Sequence, residues 1–302
     1  MLGWRMLNIA ELKEQLNQSR GLVRLGDVED FLDSLPEEPL FDLTITSPPY
    51  DIGKPYEKRV PLAEYLSWQK RIIEKIVKRM KPNGSICWQV GNYVSDGCVW
   101  PLDIAFAPIF CELGLQLRNR IIWHFGHGMH SKRRFSGRHE TILWFTNGGN
   151  YTFNLEDVLV PQKYPGKRCF KGPNRGKLSG NPKGKNPEDV WDIPNVVGNH
   201  IEKKGHPCQF PVGLVVRLVR ALSNEDEIVF DPFAGSCSTA VAALSQKRRF
   251  IGCELNKDYV KISRKRISDT LAGREQFRSA DKPVYDHMRS HLSERPKEWG
   301  CA

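Results

Sequence analysis

Two short segments hold residue types from which chemistry can be built. The first is Thr46-Ser-Pro-Pro-Tyr50, which ends the apolar run Phe41-Asp-Leu-Thr-Ile-Thr46. Its two prolines cannot continue a central strand, so the chain must leave the sheet there in a loop of fixed φ. A hydroxyl on Ser47 and a carbonyl fixed by Pro48 are pre-organised acceptors. They suit an exocyclic amine on a nucleobase, a poor nucleophile because its lone pair is delocalised into the ring. Hydrogen bonds from that amine to the loop favour a more tetrahedral nitrogen. Tyr50 can stack on a base taken out of a duplex. The second segment runs from Glu227-Ile-Val-Phe230 through Asp231-Pro-Phe-Ala-Gly-Ser-Cys-Ser-Thr239 to Arg249-Phe-Ile-Gly-Cys-Glu254. It reads as strand, glycine-bearing turn, helix, strand and acid. Gly235 lets the backbone approach a ligand, the helix presents free N–H groups, and Glu254 can accept both hydroxyls of a ribose. Neither GxGxxG nor GxxxxGK is present, which disfavours NAD and ATP.

Positioning these segments takes alternating elements. Weak helices are predicted within residues 1–20 and over Asp27–Leu35, and the strand Phe41–Thr46 follows. A helix over Leu62–Met80, stopped by Lys81-Pro-Asn-Gly84, leads into the strand Ser85–Val90. Leu102–Leu113 reads as a helix, and Ile121–Trp123 and Thr141–Phe145 as strands. After a basic stretch the alternation resumes with a helix from Pro211 and ends in a helix over Tyr259–Leu271. Such alternation predicts a three-layer α/β fold. The last thirty residues are polar, and a frayed tail is expected.

Composition narrows the class without naming it. The chain has 302 residues, 40% hydrophobic, enough for one large domain. Its formal charge of +10 predicts attraction to polyanions without separating DNA from RNA or a membrane surface. Between Pro161 and Pro187 lie Lys163, Lys167, Arg168, Lys171, Arg175, Lys177, Lys183 and Lys185, without one acidic side chain. Dense Gly and Pro make this a basic loop or small insertion, and its single-signed charge favours phosphate contacts. The eight cysteines are scattered without a Cys-x-x-Cys pair, as expected of reduced thiols in the cytoplasm. No metal is expected, because His124, His127, His130 and His139 match no common zinc spacing. No apolar leader or membrane-spanning run is seen.

Asp231, Pro232, Phe233, Ala234, Gly235 and Ser236 resemble the S-adenosylmethionine motif of bacterial and phage DNA amino-methyltransferases, and Ser47-Pro-Pro-Tyr50 resembles their catalytic loop. The family's usual Gly-Thr continuation is replaced by Cys237-Ser-Thr239, and a position needing φ > 0 is less comfortable as Cys. The order of catalytic loop, basic insertion and cofactor motif resembles the circularly permuted beta class, over residues roughly 20 to 270. The resemblance implies a Rossmann-like S-adenosylmethionine-dependent methyltransferase fold with a mostly parallel central sheet. It implies a division into a catalytic half (1–154), a basic target-recognition insertion (155–205), a cofactor half (206–272) and a polar tail (273–302).

By the same resemblance, Ser47, Pro48, Pro49 and Tyr50 are catalytic. Asp231, Phe233 and Gly235 line the methionine and adenosine region, with Pro232 and Ser236 in the same motif, and Glu254, followed by Leu255, holds the ribose. Asp27 in Gly26-Asp27 lies near the adenine, Thr46 borders the cofactor, and His206, Pro207 and Phe210 close over its methionine part. Trp123 is a candidate wall of the base pocket; Trp144 reads as core. The implied partner is double-stranded DNA with a flipped target base, which places the protein on the nucleoid when bound. A cognate restriction endonuclease and a homodimer remain open. Serine at position 47 leans toward cytosine N4, with adenine N6 as the alternative. Two rivals stand beside this. Pro207-Cys208-Gln209 resembles the nucleophile motif of cytosine C5 methyltransferases, and the chain could be an inactive DNA-binding protein on the same scaffold.

Overall fold

In the computed structural model, residues 8–49, 60–95, 97–126, 128 and 130–282 are described. In chain order the elements are α1 (Ile9–Ser19), β1 (Gly21–Leu25), α2 (Val28–Ser34), β2 (Phe41–Thr46), α3 (Leu62–Val77), β3 (Met80–Val90), β4 (Asn92–Ser95), β5 (Cys98–Pro101) and α4 (Leu102–Glu112). Then come β6 (Gln116–His124), β7 (His139–Thr146), β8 (Val190–Asp192), α5 (Val212–Leu222), β9 (Ile228–Asp231), α6 (Ser238–Ser245), β10 (Arg249–Glu254) and α7 (Lys257–Leu271).

Among the described residues, eight strands form one sheet in the order β1-β10-β9-β2-β3-β7-β6-β8, and β7 alone runs antiparallel to its neighbours. Side chains alternate between its faces. Ile86 and Trp88 of β3 pack with the apolar faces of α1 to α4, while Cys87 packs on the other side with α5, α6 and α7. A strand buried on both faces reads as a continuous apolar run, and β2 at the centre is buried at all six positions. The result is the expected three-layer, mostly parallel arrangement.

Several elements differ from the sequence expectation, each for a local reason. Helix α3 ends at Val77, not Met80, because Met80 already pairs with Phe41 at the start of β3. Lys81-Pro-Asn-Gly84 is therefore a bulge inside that strand: Met80 faces Phe41 while Ser85 faces Leu43. Strand β1 and the β4–β5 hairpin were not anticipated, being short and without clear alternation. Strand β8 lies inside the region read as an insertion, yet it joins the main sheet in parallel with β6. The start of the tail is tied down rather than frayed. Arg278 N–H donates to the buried Glu202 carboxylate (2.9 Å), and Glu275 pairs with the buried Arg266 (2.8 Å). No helix among the described residues is long and apolar enough to cross a membrane.

Candidate active site

Strands β1, β10, β9 and β2 lie side by side and parallel, so their carboxyl ends open along one edge. Gly26-Asp27, Glu254, Asp231 and Ser47 sit at those ends, although they are spread over most of the chain. Ligands of open α/β sheets bind at this edge.

Asp231 is the buried pivot of the edge. Its Oδ1 accepts hydrogen bonds from Thr46 Oγ1 (2.7 Å) and Phe233 N–H (3.1 Å), and its Oδ2 accepts one from Thr239 Oγ1 (2.6 Å). Burial pushes its carboxyl up to about 6, against the pull of those bonds. One side chain thus ties β9 to the end of β2 and the start of α6, and fixes the residue before Ser47. The turn that follows is tight. Gly235 has φ +51°, and a Cβ there would sit 3.1 Å from His206 Nε2. Cys237 is left-handed at φ 60°, as its place in the motif suggested, and caps α6 with a fully buried thiol that burial pushes up to about 12. A non-glycine residue in that region costs roughly 1–2 kcal/mol.

Glu254 Oε2 accepts the Gly235 N–H (2.8 Å) and Oε1 the Asn256 N–H (2.7 Å). Burial raises its pKa. A carboxylate offers about four acceptor sites, so capacity remains toward a ligand. Asp27 lies at the neighbouring strand end, its Oδ1 capping α2 through Glu29 N–H (2.8 Å).

These groups surround a cavity of about 420 Å³. Of the expected cofactor residues, Asp27, His206, Pro232, Phe233, Gly235, Glu254 and Leu255 line it, together with Ser47, Pro48 and Pro49 of the expected catalytic loop. Asp231, Ser236 and Phe210 instead line a small recess of about 40 Å³ that Ser47, His206 and Gly235 share with the main cavity. Thr46 is buried, directly precedes Ser47 and donates to Asp231. Pro207 and Phe210 border a separate pocket of about 130 Å³, also lined by Ser47. Tyr50 lies outside the described residues.

That smaller pocket has aromatic and polar walls: Trp123 and Phe125 on one side, Gln89, Glu140 and Asn195 among its polar groups. Trp123 is buried there, its Nε1–H donating to Ile193 O (2.7 Å) and its ring 5.3 Å from that of Phe125. Trp144 packs in the core and donates to Ser85 Oγ (3.0 Å). Sequence reasoning missed Trp68, Cys253, Asn256 and Tyr259 in the large cavity, and Phe125, Gln89 and Glu140 in the smaller one. Trp68 gave a usable signal, as an aromatic on the helix after the proline loop. Gln89 and Glu140 gave none, because they become neighbours only when β7 pairs with β3.

The strand order, the glycine turn and the acidic strand end together define a Rossmann-like S-adenosylmethionine-dependent methyltransferase fold. The PvuII DNA methyltransferase (cytosine-N4-specific) has the same fold, with a TM-score of 0.65 at 23% identity over 86% of this chain and 94% of that one. The family described as DNA methylase matches residues 41–265, and the chain belongs to it. The type II methyltransferase M.BglII of Bacillus subtilis is 48% identical over 252 residues, covering 83% of this chain and 69% of the relative. TTHA0409 of Thermus thermophilus, in complex with S-adenosyl-L-methionine, is similar with a TM-score of 0.58 at 25% identity, over 83% of this chain and 94% of that one.

Proposed function

We propose that this chain is a site-specific DNA methyltransferase that moves a methyl group from S-adenosyl-L-methionine to an exocyclic base amine, cytosine N4 before adenine N6. The observation that carries this is the position of Ser47, which lines both the large cavity and the smaller aromatic pocket. Methyl transfer between two bound molecules needs one group at their meeting point.

The large cavity suits the cofactor. Its volume lies within the ~300–1,000 Å³ of pockets that enclose molecules of that size. Glu254 and Asp27 would accept from the sugar and adenine ends, Trp68, Phe233 and Leu255 would cover the ring, and the Gly235 turn would admit the chain carrying the sulfur. When bound, S-adenosyl-L-methionine supplies an electrophilic sulfonium methyl.

This chain's own residues prepare the acceptor. Trp123, Phe125 and Phe210 would enclose the extruded base, and Tyr50 would stack on it. Ser47 Oγ and the backbone carbonyl held by Pro48 would accept hydrogen bonds from the amine and turn the nitrogen lone pair toward the cavity, and the proton released as the methyl arrives would pass to solvent. The Asp231–Thr46 bond keeps that loop seated, so little reorganisation is needed at the moment of transfer. Residues 155–205 would supply target recognition, on DNA in the nucleoid. A partner nuclease would make the chain half of a restriction–modification pair.

Mass spectrometry of nucleosides from DNA incubated with the protein and labelled cofactor tests the reading. N4-methylcytosine is expected. N6-methyladenine alone would overturn the cytosine choice, and label in RNA or protein but not DNA would overturn the substrate class. Cys208 also borders both pockets, which favours examining the C5 mechanism directly. Cys208→Ala is expected to keep methylating; complete loss with the fold intact would favour C5 attack.

A further inference from the structure

The hairpin loop that joins β6 to β7 is not used by the chemistry above. Phe125 N–H donates to Arg138 O (3.0 Å), closing its neck one residue beyond the His124–His139 pair. Further out, Ser131 N–H donates to Ser136 Oγ (3.0 Å) and pins the turn that presents Lys132-Arg-Arg-Phe135. All four of those side chains are exposed, and Phe135 is exposed to 101% of its reference area. From Phe125 to His139 there is no Asp or Glu.

A single exposed apolar side chain is ordinary on a protein surface. An aromatic ring at the tip of a pinned turn, flanked by three cations and no carboxylate, is a different object. It joins a stacking surface to phosphate-binding groups. Its location adds the third element. The neck of the loop is a wall of the smaller pocket, since Phe125 and Glu140 both line it. The same two strands therefore hold the pocket and, beyond it, the ring.

Resting on the reading of that pocket as the seat of the target base, we infer that Phe135 enters the stack of duplex DNA where the target base leaves it. Lys132, Arg133 and Arg134 hold the phosphates beside the gap. Extrusion costs the stacking and pairing of the base, and a ring in the gap restores part of the stacking and slows the return. Phe170 is also exposed, at 90%, but it sits in the basic insertion, with no pocket residue in its own hairpin. It serves as the control.

The experiment uses the sequence that the wild-type protein methylates in plasmid DNA, placed in two synthetic duplexes. In one the target base is correctly paired; in the other it faces a mismatch, where extrusion is already easier. Phe135→Ala is expected to lower kcat/KM about tenfold on the paired duplex and less than about twofold on the mismatched one. Phe135→Trp restores the paired rate, Phe170→Ala leaves the ratio of the two rates unchanged, and Tm is the same for all. Equal losses on both duplexes, no loss on either, or the mismatch-sensitive loss in Phe170→Ala instead would overturn the assignment. Failure of the underlying reading looks different, because the wild-type protein would then methylate no sequence in plasmid DNA, and there would be no target to place in the duplexes.

Discussion

Along the edge from β2 to β10, the polar groups that shape the cavity are held by the fold itself. Asp231 takes hydrogen bonds from three groups and Glu254 from two backbone N–H groups, which tie the ends of β9 and β10 to β2, to α6 and to the turns beside them. Between Pro161 and Pro187 the arrangement is reversed. Backbone bridges at Val160–Lys185 and Arg168–Leu178 hold the chain, while Lys163, Lys167, Lys171 and Arg175 extend into solvent. The cofactor is one molecule of fixed shape, and a rigid, desolvated cradle suits it. DNA is a long polyanion whose sequence must be sampled, and exposed cations on a lightly held loop suit that. Substitutions on the two sides should therefore fail in different ways.

The largest effect is expected at Ser47, which the large cavity and the aromatic pocket share. Ser47→Ala should lower methyl transfer about 10²–10³-fold, the cost of removing one pre-organised hydrogen-bonding group at a reacting centre. Cofactor affinity and Tm should not change. Single-turnover transfer beside calorimetric titration separates these quantities. A defect confined to KM for DNA would show that Ser47 merely seats the base.

Asp231 tests whether the rigid side is bought with stability. Burial raises its pKa from 3.8 to about 6. Between those values the folded chain keeps a proton that the unfolded chain has released, so stability falls as pH rises across that window. The loss is on the order of 3 kcal/mol once Asp231 is ionised. Asp231→Asn lacks this titration, and the gap between wild-type and variant unfolding free energies should change by that amount between about pH 4 and pH 7. Parallel curves in urea titrations at the two pH values would show that the carboxyl does not titrate in this range.

The contrast also explains how legible each side was. The cofactor unit is contiguous: Asp231, Gly235 and Glu254 fall within one βαβ segment, and their spacing is imposed by a turn and a helix of fixed length. Ser47 was picked out by the resemblance of Ser47-Pro-Pro-Tyr50 to a catalytic loop, read together with the cofactor unit, since prolines at a strand end are common by themselves. Thr46, expected beside the cofactor, donates to Asp231, a pairing 185 residues apart that no local pattern encodes. Phe125, Gln89 and Glu140 were missed for the same reason, since they meet only through strand pairing. Strand β8 was hidden by its length: three residues that follow a basic loop carry no periodicity. The departure at Cys237 was foreseen as a strain, and its φ of 60° bears that out.

Glu254→Gln sharpens the comparison from within the cofactor side. The amide keeps one oxygen, enough for one of the two backbone donors, and would lose the charge-assisted bonds to a ribose proposed above. Cofactor Kd should rise about 10–100-fold, as hydrogen bonds to charged groups are worth ~1.5–3 kcal/mol. With cofactor in excess, kcat on DNA should recover. Titration by calorimetry followed by steady-state rates checks both halves, and a kcat that stays low at saturation would assign Glu254 a part in the transfer step.

The smallest effect on the folded chain, and the most informative about the other side, comes from Lys163, Lys167 and Lys171 changed together to Gln. All three are exposed, so stability should move by less than about 0.5 kcal/mol and cofactor affinity not at all. If they meet phosphates, log K for DNA against log salt should become shallower by about 0.9 for each contact removed. Binding would then weaken alike on cognate and random duplexes. A change in which sequence is methylated, with the salt slope intact, would place these side chains on base edges instead. An unchanged slope and unchanged sequence choice would remove the basic stretch from the DNA surface. The work of recognition would then fall to the β6–β7 loop, and the difference between a rigid cofactor side and a sampling insertion would no longer hold.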